Sequence, residues 1–444
     1  MRTVVEHAAI ATVSGPEHRS GHVVLEDDRI AAVGDGTYPG TADERVDATG
    51  CLVTPGLVNT HHHLYQWATR GLAADHTLFE WLVALYPVWA KLDAEITHAA
   101  GTAGMARLAL SGCTTVADHH YVFPSGGDQV AALVAARERI GLRLHLVRGS
   151  MDRGESDGGL PPDSLVETAE EALLGTEAAI DRYHDASPGA HLQIAAGPCS
   201  PFTVTERLMA DSAELARRKG IRLHTHLAET QDEEKQCLAE TGLTPAEYAD
   251  KLGWLASDVW LAHTVHLAPD AIRRFGATAT GSAHCPTSNG RLGSGIAPVR
   301  DLLDAGAPVG LGVDGAASSE SGGLADELHQ ALLQARQRGG PTGLTTREAL
   351  WLGTMGGARC LGRERETGSV EVGKLADLAV WDLNGLNYAG IEDPVAALVL
   401  AAPPPLRRLF VGGKTVVDGG RLKSADETVI AGELAKASAR LRED

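Results

Sequence analysis

The sequence predicts an α/β fold, a (β/α)₈ TIM-type barrel carrying a small β-sandwich built from both ends of the chain. Three observations lead there. Short apolar runs alternate with helical-period segments from about Val53 to Arg363, as a parallel sheet wrapped by helices requires. Eight such runs can be counted, the number that closes a barrel. The runs begin apolar and tend to finish on His, Asp, Cys or Arg, so polar side chains collect at the strand C-termini, where barrels of this kind keep their chemistry.

Taken in order, residues 1–52 alternate apolar and polar positions between Gly and Asp turns, as in GHVVLEDDRIAAVGDG, the pattern of short antiparallel strands. The barrel strands follow as LVTPGLVNT (ending at Thr60), CTTVADHH (His120), LRLHLVRG (Gly149), LQIAAGPC (Cys199), IRLHTHLA (Ala228), DVWLAH (His263), ATATGSAHC (Cys285) and APVGLGVD (Asp314). After residue 365 the opening style returns in GSVEVGKLADLAVWDL and LRRLFVGGKTVVDGGRL, strands broken by Gly-Lys and Asp-Gly turns. Residues 1–52 plus 366–444 are therefore expected to form one small β domain, and 53–365 the barrel. A doubly wound open sheet is the rival fold, but no G-x-G-x-x-G follows the first strand and there is no P-loop.

Bulk properties narrow the partners. With 43% hydrophobic and 22% charged residues over 444 positions, a packed globular core is expected throughout. A formal charge of −19 without a Lys/Arg cluster repels phosphate backbones and anionic membranes, which argues against nucleic-acid or membrane partners. The six cysteines form no C-x-x-C pair, and a chain of this size needs no disulfide staples, so they read as reduced thiols. The start, MRTVVEHAAIATVSG, lacks a secretory apolar run, and no apolar stretch reaches about 18 residues. A cytoplasmic protein acting on a small molecule is expected, with homo-oligomerisation left open.

The polar strand ends contain a candidate metal site. His61 and His63 close the first strand two residues apart, so both face one side and can reach one ion, while His62 faces the other. His224 and His226 repeat that spacing on the fifth strand, and only one of them is needed. Asp314, in GLGVDG, supplies a carboxylate; its alternative role is capping a following helix. Imidazoles with one carboxylate and a position left for water suit catalytic Zn²⁺, although the same ligands accept iron, including Fe²⁺, or cobalt. A zinc deaminase of the cytidine deaminase type would show H-x-E followed by P-C-x-x-C. Pro198 and Cys199 begin such a motif, but Phe202 stands where the second cysteine is required.

The segments PGLVNTHHHLYQ, DHHYVFP, RGSM with GESDGGLPPD, GPCSPF, HTHLAET, LAHTVH, HCPTSN and GLGVDGAAS, in that order, resemble the amidohydrolase superfamily, in its mononuclear nucleobase and triazine deaminase branch. The likeness spans nearly the whole chain. It implies His61, His63, His226 and Asp314 as ligands of a single divalent ion, leaving His224 behind them or in the core. A second ion would call for a lysine at the end of strand four, and LQIAAGPC has none. The branch also implies an acid three residues after the strand-five ligand and a histidine on strand six, here Glu229 and His263.

The expected chemistry is hydrolytic removal of an exocyclic amine. Water made nucleophilic near neutral pH attacks the ring carbon bearing the amine, Asp314 accepts its proton, and Glu229 protonates the adjacent ring nitrogen. Such an acid must keep a proton near neutrality, which requires burial or a neighbouring anion; a helix-start acid satisfied by backbone amides is the plain alternative. His263 hydrogen-bonds the attacking oxygen. The resemblance places a base-reading glutamine at Gln66, and the DHHY and GESDGGLPPD segments favour 8-oxoguanine as substrate, converted to urate and ammonia. Arg148 is a candidate for a carbonyl oxygen, and Trp67 or Tyr65 for stacking on a purine. His284, His119 and His120 are candidate pocket residues or histidines satisfied by backbone. The glycine-rich run from Gly149 to Pro162 is a candidate lid or a surface loop. Alternatives are s-triazines, guanine, isocytosine or a thioadenosine as substrate and, from another class, a metal-free barrel scaffold, which the complete ligand set argues against.

Overall fold

The computed structural model describes residues 1–124 and 126–443. Eight parallel strands close into a barrel: Leu57–Asn59, Cys113–His120, Arg143–Ser150, Leu192–Pro198, Leu223–Leu227, Val259–His263, Gly281–His284 and Val309–Leu311. Closure runs through Leu311 paired with Asn59. Each expected barrel strand has its counterpart; the eighth is shortened to Val309–Leu311, so that Asp314 lies just beyond it, and the first and seventh differ in extent for identifiable reasons.

The expected first strand, Leu52–Thr60, is two strands. Cys51–Pro55 runs antiparallel to Leu378–Asp382 in the terminal sheet, and only Leu57–Asn59 enters the barrel. The break is at Gly56, where a Cβ would collide with the Thr114 side chain, so the chain crosses from sheet to barrel where no side chain obstructs it. The seventh strand begins at Gly281 rather than Ala277, because Pro269–Thr278 is a helix that buries Ile272 and Phe275 three residues apart. Threonines alternating with alanines imitate a strand, but that apolar pair fixes the helix.

Both termini build one continuous nine-stranded, mostly antiparallel sheet in which strands from residues 2–55 join strands from residues 378–422. It has its own core, including Val5, Ile10, Val23, Leu25, Val53, Leu378 and Phe410. The C-terminal segment is not all strand. Helix Glu427–Arg442 packs back on helix Ala94–Leu110, which has twelve buried residues among its seventeen because it lies between that helix and the barrel wall. A fully buried ion pair ties barrel to sheet, with Arg143 Nε 2.7 Å from Asp377 Oδ2. Asp377 also accepts the Gly412 N–H, which leaves the pair fully bonded rather than merely buried. Among the described residues no helix is long and apolar enough to cross a membrane.

Candidate active site

At the C-terminal rim of the barrel, His61, His63, His226 and Asp314 bring one ligand atom each within 4.8 Å of one another. His63 Nε2 lies 3.1 Å from His226 Nε2, and Asp314 Oδ1 lies 3.2 Å from the Nε2 atoms of both His61 and His63. Ligand atoms on a tetrahedral ion with bonds near 2.1 Å stand about 3.4 Å apart, so the spacing suits one ion.

The other face of each imidazole is already committed. His63 Nδ1 donates to the His119 carbonyl at 2.6 Å, and His226 Nδ1 to the Cys199 carbonyl at 2.6 Å. His224 Nδ1 donates to the Trp260 carbonyl, so its Nε2 accepts from His61 Nδ1 at 2.8 Å. All three ligand rings therefore turn a lone pair on Nε2 toward the common point, and His61 Nε2 is buried there without a hydrogen-bond partner. This is the arrangement that orients metal-binding histidines. Burial lowers the pKa of His61 and takes that of His226 to about 3, which keeps the rings neutral, as ligation requires.

Local backbone conformation aims the carboxylates and the strand-six histidine. Asp314, His263 and Ala228, the last immediately before Glu229, all hold positive φ, at 65°, 68° and 53°. Non-glycine residues rarely adopt that region, and it concentrates at functional sites. Ser288 Oγ donates to Asp314 Oδ2 at 2.6 Å, which leaves Oδ1 for the histidines. Burial opposes ionisation of Asp314, yet the imidazoles crowded around it hold its pKa well below the usual carboxylate range.

Glu229 and His263 face each other, with Oε2 3.5 Å from Nε2, and His263 Nδ1 donates to Asn289 Oδ1 at 2.9 Å. Burial, reinforced by the Asp314 and Glu233 charges, pushes the Glu229 pKa to about 7. Burial alone would lower that of His263; the Glu229 and Asp314 carboxylates outweigh it and leave it raised. A buried acid that holds its proton near neutrality thus stands beside a histidine that favours its charged form.

One cavity is shared by His63, His226, Glu229, His263 and Asp314, and Gln66, Tyr86, Trp81, Tyr121 and Phe202 are among its walls. Gln66 lies on the wall itself: its Oε1 is buried without a partner among the described residues, and a Cβ on Gly315 would strike it. The other candidates, Trp67, Arg148, His284, Tyr65, His119 and His120, do not line the cavity. Trp67 packs behind it, donating Nε1 to His62 Nε2 at 3.2 Å, while His62 Nδ1 donates to the Asp314 carbonyl. Arg148 is spent on Glu167 through contacts of 2.6 and 2.7 Å and lies over the Phe123 ring. His284 is buried but outside the cavity lining. Tyr65 stacks edge-on against Trp89, and His120 packs on Tyr65 and Phe123. The run from Gly149 to Pro162 lines no part of this cavity; Asp152 fastens it to Thr205, and Arg153 to Glu240.

Sequence reasoning missed the wall supplied by helix Leu78–Trp89. A signal was present, since aromatic residues are 4% of the chain but four of that helix's twelve positions, Phe79, Trp81, Tyr86 and Trp89. Tyr86 is 1% exposed, and its hydroxyl has no partner.

Comparison with known proteins agrees with this geometry. The amidohydrolase family model matches residues 52–416. An 8-oxoguanine deaminase from Pseudomonas aeruginosa is 47% identical over 97% of this chain and 97% of its own. An isoxanthopterin deaminase from an unknown prokaryotic organism is 38% identical over 95% and 91% of the two chains. The crystal structure of an atrazine chlorohydrolase from Arthrobacter aurescens TC1, complexed with zinc, superposes with a TM-score of 0.93 at 31% identity, covering 98% of this chain and 100% of that one. Fold, site and these similarities together establish that the chain belongs to the amidohydrolase family.

Proposed function

We propose that this protein is a metal-dependent hydrolytic deaminase that removes the exocyclic amine of a purine-like heterocycle, with 8-oxoguanine, yielding urate and ammonia, as its first candidate substrate. The observation that carries the reading is the pairing, in one cavity, of a four-residue ligand set with a buried carboxyl poised to hold a proton, Glu229. The likeness to the Pseudomonas aeruginosa enzyme along nearly all of both chains supports the choice of substrate. His61, His63, His226 and Asp314 would hold the ion, for which zinc is the candidate given the zinc-complexed relative. When bound, it supplies the Lewis acidity that makes water nucleophilic near neutral pH.

The chain's own groups account for the proton movements. Asp314 accepts the proton that water loses as it attacks the amine-bearing carbon. Glu229 donates to the neighbouring ring nitrogen, which takes up the electron pair released as ring conjugation is broken. His263, 3.5 Å from Glu229, donates a hydrogen bond to the attacking oxygen. The C–N bond then breaks: Asp314 passes its proton to the departing amine, which leaves as ammonia, while the hydroxyl on the same carbon gives its proton to Glu229 as the carbonyl forms, which restores both groups. Gln66 reads a lactam edge, since its amide both accepts and donates.

The test is ammonia release from a panel of 8-oxoguanine, guanine, isocytosine, isoxanthopterin, a thioadenosine and an aminated s-triazine, using metal-loaded protein. The expected result is a kcat/KM for 8-oxoguanine at least tenfold above the others. A triazine turned over equally well would overturn the substrate. Absence of ammonia from every compound would overturn the activity.

A further inference from the structure

Five helices begin on the sequence Thr-x-x-Glu. In four of them, Thr77–Glu80, Thr168–Glu171, Thr244–Glu247 and Thr345–Glu348, the glutamate returns to the backbone N–H of its own threonine at 2.8–3.0 Å. These are reciprocal capping boxes, and their carboxylates are exposed or half-buried. The fifth, Thr230-Gln231-Asp232-Glu233, departs from the pattern. Thr230 Oγ1 still accepts from the Glu233 N–H at 3.2 Å. The Glu233 carboxylate, however, runs past Thr230 and takes the N–H groups of Ala228 at 2.8 Å and Glu229 at 2.7 Å, one on each oxygen.

That difference has a cost and a consequence. Glu233 is 1% exposed, and burial raises its pKa, so this helix start gives up the solvation that the other four glutamates keep. A cap alone would not need that. What the carboxylate secures is the turn at which strand Leu223–Leu227 has ended and Ala228, in the left-handed region, swings Glu229 into the cavity. Two adjacent buried N–H groups would otherwise lack acceptors. Glu233 does not line the active cavity, so it acts through Glu229 and not on substrate.

We propose that Glu233 is a positioning residue, a backbone clasp that fixes Glu229 in its proton-donating orientation. The inference rests on the proposed deaminase reading. Glu233→Gln keeps the shape but turns an NH₂ toward one of the two N–H groups, loosening one side of the clasp. Because a displacement of about 1 Å at a reacting group costs on the order of 100-fold in rate, kcat is expected to fall about 10- to 100-fold. KM should stay within about twofold and bound metal should be unchanged, a split that general destabilisation does not produce. Glu247→Gln makes the same change in an ordinary capping box and should leave kcat at the wild-type value. Hydrogen exchange across residues 224–233 should quicken in Glu233→Gln and not in Glu247→Gln. If Glu233→Gln fails to fold, Glu233→Asp, which retains the charge on a shorter arm, should show the same fall in kcat with KM held. An active wild type with either Glu233 variant at full kcat would overturn the clasp while leaving the deaminase reading intact. A wild type inert on the whole panel would instead overturn that reading.

Discussion

The two sides of the cavity are built on opposite principles. On the metal side each ligand histidine has its Nδ1 tied to a carbonyl or to His224, and Asp314 Oδ2 is held by Ser288. On the substrate side Gln66 Oε1, the Tyr86 hydroxyl and Glu229 Oε1 are buried without partners among the described residues. A ligand set that is fixed in advance binds an ion without reorganising. Polar atoms without protein partners do the reverse: they leave donors and acceptors open to a substrate that matches them.

Breaking the metal side should have the largest effect. His226→Ala, or a strong chelator on the wild type, should abolish metal binding and lower turnover by at least about 10³-fold, since the ion supplies several kcal/mol of barrier reduction; metal analysis beside an ammonia assay checks it. On the substrate side the expected loss is smaller and of another kind. Tyr86→Phe should keep the metal and lower kcat/KM about tenfold through KM. The same variant should unfold at a slightly higher temperature, because it deletes an unpartnered buried hydroxyl. An unchanged KM would remove Tyr86 from the substrate wall.

Arg148 sharpens the contrast from outside the cavity. Arg148→Met strands Glu167 and should cost about 3 kcal/mol of stability, visible as a lowered Tm, with KM changed less than about twofold. A large rise in KM would return Arg148 to the substrate. The smallest effect concerns Glu327, whose carboxylate accepts the Thr287 N–H at 3.0 Å and the Ser319 hydroxyl at 3.4 Å. Burial raises its pKa to about 8 from an unfolded value of 4.5. Its stabilising contribution is therefore full below about pH 4.5 and is lost as pH rises through about 8. Glu327→Gln can keep both hydrogen bonds without charge, so its Tm should match the wild type at about pH 4 and exceed it by a growing margin as the pH rises toward about 8.

The same contrast explains what could be read from the chain alone. His61 and His63 were legible from their two-residue spacing and Asp314 from the end of the eighth apolar run, although the barrel strands stop at Asn59 and Leu311 and the ligands stand just beyond them. Glu229 and His263 were named through the family resemblance, which implies an acid three residues after the strand-five histidine and a histidine on strand six. The substrate wall was not, because Arg148, Trp67 and His284 differ from Gln66 only in which neighbours they reach. Glu167 and Phe123 hold Arg148, and His62 holds Trp67, through contacts no local pattern records. Tyr86 arrives on a helix whose aromatic residues read as ordinary core. The sheet boundary at Gly56 was hidden for a related reason, since Leu52–Thr60 is continuously apolar up to Asn59 except for Thr54, and only the close approach of Thr114 marks where it must divide.

The central claim is that a metal site and a buried proton donor act together, and one measurement addresses it most directly. Glu229→Gln, prepared beside the wild type, is assayed for bound metal and for ammonia released from 8-oxoguanine. The account predicts one divalent ion per chain in both proteins and a kcat lowered by about 10³-fold in the variant, within the usual range for loss of a general acid. Turnover at the wild-type rate in Glu229→Gln, with the ion in place, would contradict it.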